Sequence, residues 1–256
     1  MLGDYRQSID FHQQALEIAR EIGNRRGEAN ALDNLGIAYD SLGDYGQAIE
    51  FHQQHLEIAR EIGDRQGEAA ALGNLGNAYQ SLGEYDQAIN FLQQSLELAR
   101  AIGDRQGEAA ALGSLGLAHS AAGNYELAAS FREQQLGIVQ IIGNRLGETQ
   151  SLNNLGVTYL SLGQYDQAIE FHQRARIVAQ QAQDKKGEID ALNDLGTTYR
   201  ILGQYSRAID LYEEALSIAQ AVGDPRREAQ SQGNLELVYF SKKEYERAIE
   251  FHQKQL

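Results

Sequence analysis

The sequence predicts an all-α solenoid of antiparallel helix pairs, about thirteen helices in all, from three observations. A 40-residue period runs through the chain without insertion. Each period holds two stretches whose apolar residues return at helical spacing. Short glycine-marked breaks close each stretch, and short breaks make consecutive helices antiparallel neighbours.

One phase of the period is marked by Tyr5, Tyr45, Tyr85, Tyr125, Tyr165, Tyr205 and Tyr245. Leu35, Leu75, Leu115, Leu155, Leu195 and Leu235 mark another, with Gly36, Gly76, Gly116, Gly156 and Gly196 beside them. Residues 63–76 and 103–116 are identical at 13 of 14 positions. The expected organisation is a single array over 1–256. A lone helix at 4–22 is followed by repeats 23–62, 63–102, 103–142, 143–182, 183–222 and 223–256. Both ends fall inside a repeat, which suggests a piece of a longer array or an array continued by self-association. Apolar faces bearing Ile9, Leu16, Ile249 and Leu256 are the expected end-to-end contacts.

Within a repeat, Leu72, Leu75 and Tyr79 set the buried face of the first helix. Tyr85, Ala88, Ile89, Leu92, Leu96 and Ala99 set that of the second. Gly83 stands where a left-handed residue ends the first helix, and Gly63 or Gly103 where one ends the second. Asp64, Asp104 and the pair Asp224-Pro225 cap the helices that follow. Gly67 and Gly76, inside the first helix, cost about 1 kcal/mol each relative to alanine, so close approach of a neighbouring helix is the expected compensation. The repeat decays at Arg176, Gln183 and Lys185-Lys186, where a looser joint is expected, and again at Gln232, Glu236 and Lys243.

Composition removes several functions. No run of eighteen apolar residues and no signal-like N-terminus occurs, so a cytoplasmic, membrane-free protein is expected. Zero cysteines leave no disulfide, thiolate metal site or thiol nucleophile. With 36 acidic against 22 basic residues the net charge is -14, which disfavours nucleic acid. Phosphate-loop, nucleophile-elbow and zincin motifs are missing, and no cofactor is expected. His12, His52, His172 and His252 repeat on separate helices, too far apart to share an ion. Only His52 and His55 could pair, too few ligands for a metal. Glu84 and Asp86, with Asp44, Glu126, Asp166 and Glu244, read as solvated helix-start acids, not a catalytic pair. The Tyr79 and Tyr85 rows read as core.

The pattern Leu32, Leu35-Gly36, Tyr39, Gly43, Tyr45, Ala48, Phe51, Leu56 resembles the tetratricopeptide repeat. With "GDRxGEAxALxNLGxAY" in a 40-residue unit, it is most similar to the arrays of LGN/Pins type and of bacterial repeat proteins. The resemblance implies a right-handed superhelix whose first helices line a concave groove at the positions matching 30, 33, 34, 37, 40 and 41. One groove row is then Asn34, Asn74, Ser114, Asn154, Asp194 and Asn234, similar to an asparagine ladder that grips a peptide backbone. A second is Ile37, Asn77, Leu117, Val157, Thr197 and Leu237, supplying apolar anchors. The third is Asp40, Gln80, Ser120, Leu160, Arg200 and Phe240. Positions 30, 33, 34 and 37 carry no Lys or Arg in any repeat, which argues against the family's carboxylate clamp. Among the groove rows Arg200 is the only basic residue. A further basic row, Arg25, Arg65, Arg105, Arg145, Lys185 and Arg226, is expected to pair with Glu28, Glu68, Glu108, Glu148, Glu188 and their neighbours.

What the resemblance implies is a non-enzymatic scaffold that binds an extended peptide or helix of a protein partner. Two alternatives stand beside it: a sensor segment of a larger signalling ATPase or protease, and a peptide-responsive regulatory phosphatase.

Overall fold

The computed structural model describes the backbone of residues 2–254 and the side chains of residues 6–253. Leu256, one of the expected end contacts, lies outside the described residues. A helix α1 (Leu2–Glu21) precedes six helix pairs. Their first helices are α2 (Arg25–Leu42), α4 (Arg65–Ser81), α6 (Arg105–Ala121), α8 (Arg145–Ser161), α10 (Lys185–Ile201) and α12 (Pro225–Ser241). The second helices are α3 (Tyr45–Glu61), α5 (Tyr85–Ile102), α7 (Tyr125–Ile141), α9 (Tyr165–Gln181), α11 (Tyr205–Val222) and α13 (Tyr245–Lys254). That makes the thirteen helices expected, with no strand among the described residues. None is long and apolar enough to cross a membrane.

Chain contacts define two units, residues 1–138 and 139–256. In the first, consecutive helices from α1 to α6 pack in series, and α2 touches α4 as α4 touches α6. In the second, α8 to α13 pack in series, and α10 touches both α8 and α12. Each unit thus carries a wall of adjacent first helices. Its core lies between first and second helices, where Leu32, Leu35, Leu112, Leu115, Leu152 and Leu155 are wholly buried. The small residues Ala48, Ala88, Ala168 and Ala208, also fully buried, let paired helices approach. Tyr39 stacks on Phe51 at 5.3 Å and Tyr79 on Phe91 at 5.4 Å, so this aromatic row is core. The Tyr45 row differs: its copies at Tyr165 and Tyr245 remain exposed.

Helix ends follow the sequence closely. Gly83 adopts φ +81° and Gly63 φ +70°, both left-handed. Asp64, Asp104 and Asp224 accept the amide of the third helical residue as caps. Gln183 and Lys243 hold the same left-handed conformation without being glycine, at φ 56° and 64°. Gly76 behaves as expected, since a Cβ there would lie 2.5 Å from Leu92 Cγ and 3.1 Å from the Ala88 carbonyl oxygen. Gly67 meets its expectation in part: the nearest atoms to such a Cβ, at 3.2 Å, belong to its own cap Asp64, and His55 Nε2 of the neighbouring α3 follows at 3.4 Å. It makes room for the capping side chain first and for the neighbouring helix second.

Two further expectations are corrected. Ile9 and Leu16 are only 7% exposed, because they pack on Leu32 and Leu35 of α2. Among the described residues the exposed large apolar side chains at this end are Phe11 and Ile18 of α1 and Ile22 just after it; Ile249 at the other end is exposed as expected. The basic row pairs as foreseen five times, from Arg25 to Glu28 at 2.6 Å through Lys185 to Glu188 at 2.7 Å. In α12, however, Pro225 occupies that register position, and Arg226 is exposed while Glu228 accepts from Gln220 and Gln232. Glu28, Glu68 and Glu108 are each gripped a second time by an arginine of the preceding helix, Arg20, Arg60 and Arg100. Burial pushes these carboxyls up, but the paired arginines outweigh it and hold them below the usual range.

Candidate peptide-binding groove

On each first helix the residues matching Leu32 and Leu35 face the core, so those matching 34 and 37 emerge on the wall. Ile37, Leu117, Val157 and Leu237 are 46%, 51%, 43% and 51% exposed, an apolar side chain standing in water in four of the six repeats. Asn77 is exposed, and Thr197 is half-buried with the Tyr212 hydroxyl 3.1 Å from its own. Such exposure of large aliphatic groups is unfavourable unless something covers them.

The polar row has a partner that the sequence did not indicate. Asn74 donates from Nδ2 to Asp33 Oδ1 at 3.0 Å, and Asn234 to Asn193 Oδ1 at 3.1 Å. Both bonds run to the preceding first helix, 41 residues back, and use only the Nδ2 of each asparagine. Asn34 is exposed, while Ser114, Asn154 and Asp194 are half-buried on the same row.

Beneath the wall, one side chain from each of the first five second helices packs on the glycine of its pair. The His52 ring fills the space over Gly36, where a Cβ would lie 2.4 Å from Cε1. Its Nε2 is 3.1 Å from Asp40, and His55 Nδ1 is 3.2 Å from Asp33. The structure thus surrounds the expected histidine pair with two carboxylates, and among the described residues no such group has metal-binding geometry. Burial pushes the Asp33 carboxyl up, but His55, His52 and Asn74 outweigh it and hold it below the usual range. His172, fully buried over Gly156, is pushed down to about 4 by burial. In α12 Glu236 replaces the glycine, and His252 sits out in solvent, paired with Glu236 at 3.2 Å.

Two recesses open on these walls. In the first unit a pocket of about 260 Å³ is floored by Ala69, Ala70, Gly73 and Ala111 and rimmed by Asn74, Asn77 and Ser114. In the second unit one of about 470 Å³ is lined by Gln150, Asn153, Asn154, Asp190, Asp194 and Arg227 among others. There Arg227 donates through Nε and Nη2 to both oxygens of Asp190, each at 2.8 Å. Asp194 is left without that cation, and burial together with the Asp190 charge pushes its carboxyl up to about 7. Asp33, Asp190 and Arg227 were not singled out by the sequence. Arg227 did carry a signal, since Gly27, Gly67, Gly107, Gly147 and Gly187 fill its place in the other repeats. Arg200, expected as a groove cation, is half-buried near the Tyr212 hydroxyl.

Helix pairs of this size, with a small residue packed at each crossing and a wall of first helices, define a repeat protein built to present a surface. The model of the family described as Tetratricopeptide repeat matches residues 1–61, 67–140, 147–221 and 187–256, and the chain belongs to that family. A search of curated proteins found no significant match. Among solved structures the chain is similar to BtubC (BKLC) from P. vanneervenii, 20% identical over 86% of this chain and 92% of that one, with a TM-score of 0.76. It is also similar to a signal transduction ATPase with numerous domains, bearing a tetratricopeptide repeat sensor, from Pyrococcus horikoshii. There the identity is 22% and the TM-score 0.78, over 94% of this chain but 38% of that one. A Rap protein complexed with Competence and Sporulation Factor is 17% identical over 99% of this chain and 70% of that one, with a TM-score of 0.68. At these identities the likenesses establish the fold.

Proposed function

We propose that the chain is a non-enzymatic interaction scaffold that binds an extended peptide or a helix of a protein partner on its walls of first helices. The observation that carries this reading is the exposed row Ile37, Leu117, Val157 and Leu237, flanked by the side-chain amides of Asn74 and Asn234. Apolar anchors beside backbone-reading polar groups are what a peptide needs for affinity and register. In the first unit, the alanine-floored pocket suits a small apolar side chain. In the second, the acidic recess at Asp194 favours a ligand group that donates hydrogen bonds or carries positive charge. The Rap complex, a protein of this fold holding a named factor, supports the peptide reading. Likeness to a sensor in a signal transduction ATPase supports a second reading, in which the same groove belongs to a sensor segment of a larger protein.

A test uses peptides selected from a random display library on the intact chain, with affinities read by fluorescence anisotropy. The variant Ile37→Glu/Leu117→Glu/Leu237→Glu is compared with Ile18→Glu/Leu127→Glu/Ile177→Glu, equally exposed residues away from the groove rows. The groove triple is expected to weaken binding by about a hundredfold or more, since each of the three lost anchors is worth about 1 kcal/mol or more. Equal affinities for the two variants would sink the reading.

A further inference from the structure

The residue that each second helix places over the glycine of its partner is long enough to reach the groove floor. His52 passes over Gly36 to Asp40 at 3.1 Å and Asp33 at 3.8 Å. His172 reaches Asn153 at 3.4 Å, and the Tyr212 hydroxyl lies 3.1 Å from Thr197 Oγ1. Each polar member of this row therefore ends on a residue at position 33, 37 or 40 of its pair. The member on α7 is Arg132, whose Nε would lie 3.2 Å from a Cβ at Gly116. At its positions 33, 37 and 40 stand Gly113, Leu117 and Ser120, none of them an anion.

Arg132 is only 6% exposed, and its Nε is buried without a hydrogen-bond partner. One turn on, Gln135 packs over Gly113, and its Oε1 is likewise buried and unpartnered. Burial pushes the guanidinium's pKa down, with no carboxylate acting against it. A guanidinium stays charged in a protein, so this side chain holds a largely buried positive charge with no counter-charge beside it. Burying a charge is tolerated where a partner completes the pair, and a planar carboxylate matches the guanidinium fork.

We infer that Arg132 is the receptor for a carboxylate of the bound partner, at the groove floor over Gly116. The inference rests on the groove reading and gives it a ligand chemistry. It differs from the clamp that the resemblance would have implied, because the cation comes from a second helix and lies under the wall. The carboxylate could belong to a chain terminus or to an acidic side chain.

The test uses the intact chain labelled with ¹⁵N-arginine, its Arg132 Nε–H resonance assigned by its loss in Arg132→Leu, the residue that Leu92 supplies at the same place in α5. Three pentapeptide pools, all acetylated at the N-terminus, are titrated: one with a free C-terminal carboxylate and no acidic side chain, one amidated with a single glutamate, and one amidated without acid. At least one acid-bearing pool is expected to shift the Arg132 resonance and raise the thermal midpoint of the wild-type chain, and the pool that acts identifies the carboxylate's source. The acid-free pool does neither, and Arg132→Leu loses the response while unfolding at a higher temperature than wild type. An unmoved resonance with both acid pools overturns the inference, as does a lower midpoint for Arg132→Leu, which would make Arg132 a structural group. Library peptides that bind, are lost in the groove triple and leave Arg132 unmoved would overturn this inference alone. The groove reading itself fails only by equal binding to the groove and control triples.

Discussion

Replacing Asp194 by asparagine should stabilise the protein at alkaline pH and do little in acid. Asp194 is half-buried on α10, one turn from Asp190. Arg227 spends its fork on Asp190 and Asp224, Arg200 lies near the Tyr212 hydroxyl, and Asp184 and Lys186 line the same recess. The carboxyl is therefore pushed up from 3.8 to about 7. A pKa raised in the fold means that the ionised form is disfavoured there, so stability is lost as pH rises from the unfolded value through the folded one. Above pH 7 the loss is constant. About three pH units correspond to at most ~4 kcal/mol, and solvent access to the recess reduces this to about 1–3 kcal/mol. Asparagine keeps the shape of the neutral acid and carries no charge. Urea denaturation at pH 8 should show Asp194→Asn more stable by that amount, shrinking to about 0.5 kcal/mol or less at pH 4. An equal effect at both pH values, or a destabilised variant at pH 8, would refute the reasoning.

Other substitutions test the packing. Gly76→Ala should lose about 1–3 kcal/mol because Leu92 and the Ala88 carbonyl leave no room, whereas Gly137→Ala, with nothing within 4 Å, should gain up to about 1 kcal/mol in the same assay. Gln183→Gly should gain about 1 kcal/mol by relieving a left-handed glutamine, and wild-type hydrogen exchange should be faster over 170–190 than over 85–110; an unchanged midpoint or equally slow exchange argues against a strained joint there. Glu68→Gln removes a buried carboxylate held by Arg60 and Arg65. Because that carboxyl's pKa is depressed, its contribution exists above pH 4.5 and vanishes as pH falls through the folded value. The variant should therefore lose about 1–2 kcal/mol at pH 7 and almost nothing at pH 3.

Periodicity made the helices legible, because the buried face, the left-handed glycines and the aspartate caps are all local instructions. Gly76 was readable for the same reason: it recurs beside the core leucine. Gly67 was readable only in part, because a glycine inside a helix does not say which neighbour comes nearest to its missing side chain. Pro225 in the basic row was missed because Arg226, one residue away, offered the expected charge. The pairs Asn74 with Asp33 and Arg227 with Asp190 join residues about 40 apart, so they depend on how adjacent first helices lie side by side. No hydropathy pattern encodes that distance. Arg132 was hidden by its position, since a row read as core filler gives no sign that one member is a cation without a counter-charge.

Hydrogen exchange of the intact chain, free and bound to a library-selected peptide, tests the central claim most directly. Binding on the walls predicts that new protection concentrates in α2, α4, α6, α8, α10 or α12, around residues 34–40 and their repeats, and that α3, α5, α9 and α11 change little. Protection confined to those second helices or to the turns between pairs would contradict it.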